Sequence, residues 1–358
     1  MKFAKALLAL ASGLSLAASS PLHVYRNETG LPAKTIFQFN QTGTWLENLA
    51  VRPNGDLLMT MLTPSASLWT LKRPYSPHPE ASLVHTFSGA TGLNGITETS
   101  PDTFVLLSAE YSGVGEPVAG SFAVWEVSFR RGPSSSSTPS IRKITDFPEA
   151  QLANGIASVP SCESDIVLVG DSFAGSLWRI DTRTGAREPL IQQAPSMSAP
   201  AGGALPIGIN GLKVRAGYAY WSNSAQVAVY RTRIDGHGYL AAPAPSATAA
   251  DGTAVVVEET VATLDGSPFV DDFAFDNRGL LWAATNGDNK VDVVRVGDGF
   301  VETVVGGAEE DTVAGDSAVA FGRTALDRDV LYVTTSGTLP NSRTEPAKVV
   351  AVNRAGFR

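Results

Sequence analysis

Cysteine is almost absent from this chain: Cys162 is the only one in 358 residues. That excludes an intrachain disulfide framework. It also disfavours a thiol nucleophile, because Cys162 is followed by Glu163, Ser164 and Asp165 with no histidine nearby to activate it. Histidine is scarce too. His23, His78, His85 and His237 show no metal-ligand spacing, which excludes a zinc site of the usual kind. Charged residues make up only 17% of the chain, and the net charge is −8. Loss of Lys2 and Lys5 with an N-terminal leader makes it −10. With no basic stripe, nucleic acid is excluded as a partner. No apolar run after residue 20 is long enough to span a bilayer, so no membrane is implied. A glycine-rich phosphate loop, a Gly-x-Ser-x-Gly elbow and a zinc-type His/Glu pair are all missing. Apolar spacing of helical period is missing as well.

What the chain does have is a short phrase in six copies. Asn48-Leu49-Ala50-Val51, Asn94-Gly95-Ile96-Thr97, Asn154-Gly155-Ile156-Ala157, Asn210-Gly211-Leu212-Lys213, Asp272-Phe273-Ala274-Phe275 and Ser317-Ala318-Val319-Ala320 each open a β-prone run. The intervals are 46, 60, 56, 62 and 45 residues. Units of roughly 40–50 residues with several short strands each are propeller blades. In the first unit the strand candidates are 49–52, 56–62, 67–71 and 82–87, with a turn at Pro53-Asn54-Gly55-Asp56. The fifth repeats the turn as Asp276-Asn277-Arg278-Gly279. Trp69, Trp125, Trp178 and Tyr230 recur at equivalent places in the third strand, where one aromatic per repeat buries surface between blades.

Residues 34–39 resemble an outer strand without a blade of its own. Their natural home is the last blade, whose other strands are 317–321, 330–335 and 347–353. Such closure joins the chain ends and removes an exposed edge. The expected fold is therefore all-β: a six-bladed propeller of four-stranded blades, with the N-terminal strand closing the last. Residues 21–358 form that single domain. Residues 134–137 and 241–250 are inserted surface loops, and 194–204 is a loop that could form part of a lid. Met1–Ser20 reads as a signal peptide, with Lys2 and Lys5, an apolar stretch at 6–16 and small residues at 17–19. It directs the chain to the secretory pathway as a soluble protein. Asn27 and Asn40 open N-glycosylation sequons. Oligomeric state is left open.

The first residue of each phrase is polar, and a propeller brings equivalent blade positions together on its axis. Glu47, Asn48, Asn94, Asn154, Asn210, Asp271, Asp272 and Ser317 are thus the candidate site. Their oxygens suit a hard cation such as Ca²⁺ or Mg²⁺. A structural role is the alternative, since Asn-Gly tolerates positive φ and favours turns. Trp45, Phe173, Trp221, Phe269, Phe273 and Trp282 flank this set. They are either the aromatic wall of a mouth, with Trp221 and Trp282 as substrate-binding residues, or ordinary core.

Glu47, Asn154, Asn210 and Asp272, with Ser317–Gly322 ahead of Val330–Thr335, resemble the SMP-30/gluconolactonase superfamily of six-bladed propellers over residues 34–353. The resemblance implies a divalent cation held by Glu47, Asn154, Asn210 and Asp272, with Asp272 as acid/base in lactone hydrolysis. The setting differs in two places. Asp271-Asp272-Phe273 replaces an Asp followed by Gly, which leaves the ligand between two carboxylates. Leu46-Glu47-Asn48-Leu49 replaces the usual surroundings of the Glu.

Overall the chain is similar to a fungal branch of that superfamily: hetero-Diels–Alderases of tropolone sesquiterpenoid biosynthesis. That likeness implies polyketide and terpene substrates, no cofactor, and Asp272 and Glu47 as catalytic groups. Asn48, Asn94, Asn154, Asn210, Asp271 and Ser317 would bind substrate, with Asn154 or Asn210 donating to the electrophile's carbonyl. Three classes stay open: a cyclase of this type, a Ca²⁺-dependent lactonase, and a non-catalytic binding propeller.

Overall fold

The structure, a computed structural model, describes residues 30–130, 138–160, 165–241 and 258–357. The leader, Asn27, Cys162, the serine run at 134–137 and residues 242–250 lie outside the described residues. Six four-stranded antiparallel sheets form a six-bladed propeller. The innermost strands are Trp45–Val51, Gly92–Ser100, Ala153–Ser158, Ile209–Arg215, Phe273–Phe275 and Asp316–Phe321. Blade one begins its inner strand four residues earlier than expected, at Trp45, because the polar pair Glu47-Asn48 sits within the strand and not ahead of it.

Ala33–Gln38 pairs antiparallel with Lys348–Asn353 and completes blade six, as its unpartnered phrase predicts. Phe39 then packs edge-on against Trp69 of blade one, with ring centroids 5.2 Å apart. The same contact recurs at the next two seams: Phe87 with Trp125 at 5.2 Å and Phe147 with Trp178 at 5.1 Å. At these three seams one aromatic just past the outer strand docks on the next blade's third-strand Trp. The tight turns form as their sequences require. Gly55 and Gly279 both adopt φ +89°, and Asn54 and Asp276 accept backbone N–H groups across the turn.

Each seam between blades holds its own apolar core. Trp221 lies fully buried in the core between blades three and four, and Trp282 in that between five and six. Neither lines a mouth. Both stand on second strands, whose side chains point into neighbouring blades, while the axis is reached from inner strands. Phe273 is likewise buried, between blades four and five.

The glycines of the repeated phrase answer to packing and not to backbone sign. Positive φ is found at seventeen glycines, but not at Gly95, Gly155 or Gly211. A Cβ on Gly95 would fall on the backbone oxygen of Asn154; on Gly155, on that of Asn210; on Gly211, on the Asp272 carboxylate. Three successive seams are closed by this approach. Gly155→Ala should therefore cost about 1–3 kcal/mol by overpacking. Gly236→Ala, with nothing within 4 Å of its Cβ, should leave stability unchanged. Thermal unfolding of the two variants checks this; equal midpoints would refute the close-approach account.

Candidate active site

Every inner strand carries an irregularity where the polar phrase begins. Register shifts fall between Leu46 and Asn48, Leu93 and Ile96, Ala153 and Ile156, Ile209 and Leu212, and Asp316 and Ala318. In blade five the Asp271 N–H donates to Ala284 O while the Ala284 N–H donates to Asp272 O, so two residues face one. A bulge re-aims the side chain beside it. Six bulges at one level turn the polar residues toward the axis.

The side chains meet there in two hydrogen-bonded chains. Asn154 Nδ2 donates to Asn210 Oδ1 at 2.9 Å, and Asn210 Nδ2 donates to Asp271 Oδ1 at 2.9 Å. Asn286 Nδ2 takes the other Asp271 oxygen at 2.9 Å. Separately, Asn48 Nδ2 donates to Asp272 Oδ2 at 3.1 Å, while Lys213 Nζ meets Asp272 Oδ1 at 2.5 Å. Asn94 is held on both sides: Tyr111 O–H donates to its Oδ1 at 2.7 Å and its Nδ2 donates to Ala153 O at 3.1 Å. The Ser317 hydroxyl donates to Leu46 O and staples blade six to blade one. All eight candidate polar residues are buried.

Charge divides this floor in half. In blades two, three and four the residue before the phrase is Leu93, Ala153 or Ile209, and the phrase is Asn-Gly. In blades five, six and one it is Asp271, Asp316 or Glu47, and no glycine follows. Burial pushes Glu47 up to about 7, with the charge of Asp272 adding to the rise and the Trp45 indole opposing it. Asp271 is held well above the ordinary carboxylate range by burial and by the charge of Glu47. Asp316, wholly buried, is raised by the same loss of water; one oxygen accepts the Thr285 N–H and the other has no partner among the described residues.

Lys213, Tyr111 and Asn286 escaped the reading of the sequence. Lys213 had a signal: among the six copies it is the one charged residue three places after the axial side chain. Tyr111 comes from a small hairpin, Tyr111–Gly113 with Glu116–Pro117, inserted in blade two. Its only signal was the long connection from Ala109 to Ala123.

At the strand-entry end, Leu205, Ile207 and Phe269 form an apolar cluster, with Phe173 packed against it. The loop leading to it is anchored. Trp221 Nε1 and Asn223 Nδ2 donate to Ser196 O, and Gln226 Nε2 donates to Pro195 O. At the opposite end the axis opens into a chamber of about 400 Å³ lined by the later halves of all six inner strands, Lys213 among them.

No family profile matches the chain. A candidate hetero-Diels–Alderase of Phoma sp is 31% identical over 353 residues, covering 92% of this chain and 93% of the relative. The chain belongs to the hetero-Diels–Alderase family. A second family member, from Sarocladium schorii, is 30% identical and covers 85% of this chain and 78% of its own. Among solved structures, a luciferin-regenerating enzyme superposes with TM-score 0.60 at 15% identity, over 91% of this enzyme and 96% of that chain. The calcium-binding protein regucalcin from Agrobacterium tumefaciens gives 0.55 at 13%, over 90% and 94%. The fold of the enzyme is thus that of SMP-30/gluconolactonase-like propellers.

A divalent cation is what that superfamily implies, and the oxygens are of a suitable type. Their arrangement does not fit one. The Lys213 ammonium already sits on Asp272, and both Asp271 oxygens accept amide N–H groups. Among the described residues no group of three or more His, Cys, Asp or Glu is placed to hold a metal.

The raised Glu47 carboxyl sets a pH dependence. A folded value above the ordinary 4.5 means that the folded state holds this proton more tightly than the unfolded chain. Its contribution to stability is complete below about 4.5 and is lost as pH rises through about 7. Asp271 and Asp316 act with the same sign. Urea unfolding at several pH values should show stability falling over this window, and less steeply in Glu47→Gln. An unchanged slope in the variant would place the titration elsewhere.

Proposed function

We propose that this enzyme joins a tropolone quinone methide to a humulene-type sesquiterpene by a hetero-Diels–Alder reaction. The observation that carries the reading is the 31% and 30% identity with two candidate hetero-Diels–Alderases over most of the chain. The site supports it chemically. A cycloaddition asks for two partners held face to face, and good orientation is worth on the order of 7–11 kcal/mol. Phe173, half-buried against the core cluster of Leu205, Ile207 and Phe269, offers the terpene an apolar surface. Keeping bulk water from the quinone methide matters because water adds to it.

Formation of the electrophile needs an acid. A hydroxymethyl tropolone becomes a quinone methide by losing water. Glu47, poised at about 7, gives its proton to the departing hydroxyl as the C–O bond breaks. The ring hydroxyl beside the hydroxymethyl carbon, distinct from the hydroxyl next to the tropolone carbonyl, returns a proton to Glu47, and the balance is one water released. Asp272 is suited to a different part. Paired with Lys213, it supplies a fixed negative charge that helps keep the proton on Glu47. No redox cofactor is required.

A secretory route accords with the leader-like N-terminus and with Asn40, whose sequon is exposed. Glycosylation at Asn27 and Asn40 belongs to the same proposal.

Glu47→Gln should slow adduct formation from the alcohol precursor on the order of 10²–10⁴-fold. A preformed quinone methide should restore most of the rate. A variant as slow with the preformed electrophile as with its precursor would sink the dehydration role. EDTA should leave turnover unchanged; turnover lost to EDTA and restored by Ca²⁺ would point instead to a metal-dependent hydrolase.

A further inference from the structure

A cyclase that handles a tropolone must recognise a carbonyl and a hydroxyl on adjacent ring carbons. The carbonyl accepts a hydrogen bond and the hydroxyl donates one. The floor has few groups free to answer both. Asn210 Nδ2 gives both hydrogens, to Ser224 and Asp271, while Asn154 Nδ2 is oriented by one bond to Asn210 and Asn48 Nδ2 by one to Asp272. Turning any of these amides toward a ligand orphans a buried acceptor, which costs roughly 1–3 kcal/mol. The Lys213 ammonium sits on Asp272 and faces the chamber at the opposite end of the axis.

Tyr111 and Asn94 differ. They form a neighbouring donor and acceptor, with Tyr111 O–H on Asn94 Oδ1 at 2.7 Å. A hydroxyl re-aims by rotating about one C–O bond. The acceptor it leaves can be filled by the ligand's own hydroxyl. The pair is rigidly mounted. The Tyr111 N–H donates to Thr91 Oγ1 at 2.7 Å, and the ring stands edge-on to Phe122 at 6.4 Å. Gly92 leaves the space that the ring occupies, since a Cβ there would come 3.0 Å from Tyr111 Cδ2. Asn94 is fixed from its other end by Ala153 O. Burial keeps the phenol protonated, so it stays a donor.

We propose that Tyr111 and Asn94 together read the adjacent carbonyl and hydroxyl of the substrate: Tyr111 O–H donates to the carbonyl and Asn94 Oδ1 accepts from the ring hydroxyl. The inference takes its ligand class from the cyclase reading above. It also assigns the activating hydrogen bond to Tyr111 in place of Asn154 or Asn210. The cycloaddition forms one C–O and one C–C bond and releases nothing. Tyr111 therefore transfers no proton; it withdraws electron density from the carbonyl and makes the diene a better acceptor.

The test uses the full-length protein and two unreactive probes, tropolone and tropone, which lacks the hydroxyl. Calorimetry should show the wild type binding tropolone more tightly than tropone, on the order of tenfold. Tyr111→Phe should erase that preference while its thermal midpoint stays within a few degrees. With preformed quinone methide, Tyr111→Phe should lower kcat on the order of 10²-fold with little change in KM, because the donor acts most strongly in the transition state. Fluorotyrosine at position 111, a more acidic phenol, should raise kcat severalfold. A wild type indifferent between the probes, or a Tyr111→Phe variant that keeps the preference and the rate, overturns the assignment. Failure of the cyclase reading looks different: the wild type itself would give no acceleration of adduct formation with preformed quinone methide.

Discussion

Six strands meeting at one axis face a problem of width. A strand with ordinary side chains cannot approach its neighbours closely enough to close a small ring. The chain meets this with bulges at one level and, on one side, with glycine. Gly95, Gly155 and Gly211 let blades two to five press backbone against backbone. The other side keeps Leu49, Phe273 and Ala318 at the same place. The ring is tight and neutral in one half, looser and acidic in the other. The remaining features of the site follow from that division.

The acidic half holds Glu47, Asp271, Asp272 and Asp316 behind a single ammonium, Lys213. Taking a carboxylate out of water is costly, and one cation cannot compensate four. Its place is decided by contact: Lys213 sits on Asp272, while burial raises Glu47, Asp271 and Asp316 toward their protonated forms. A site with one fixed anion and a neighbouring proton donor is arranged for acid chemistry. Tyr111 stands at the junction of the two halves, between Glu47 of blade one and the neutral amides that begin with Asn94.

The fold was legible because its signals repeat. Six phrases, recurrent third-strand aromatics and an orphan strand at the N-terminus leave little freedom for other architectures. The polar floor was legible for the same reason, since equivalent positions converge. What depended on a single copy was not. Lys213 acts across blades from a position whose counterparts are uncharged, Asn286 reaches Asp271 from within its own blade, and Tyr111 arrives from an inserted hairpin. Trp221 and Trp282 show the opposite limit. Their alternation within strands gave their burial, but a bulged inner strand breaks the count that relates strand number to axis. Nothing in spacing alone distinguished a wall from a core. The choice between Asp271 and Asp272 was open for a related reason: a bulge presents both residues to the same side of the partner strand.

The pairing of Ala33–Gln38 with Lys348–Asn353 also has a bearing on how the molecule is made. Strands of blades one to five can pair with neighbours already synthesised. The first strand cannot, because its partner Lys348–Asn353 follows all the other blade strands in the chain. Until then Ile36, Phe37 and Phe39 have no blade six to cover them, and the edge of the ring stands open. Closure of the ring therefore waits for Lys348–Asn353 to be made. A polypeptide lacking Lys348–Asn353 would leave blade six without two of its strands and carry unpaired β edges, ready templates for wrong pairing.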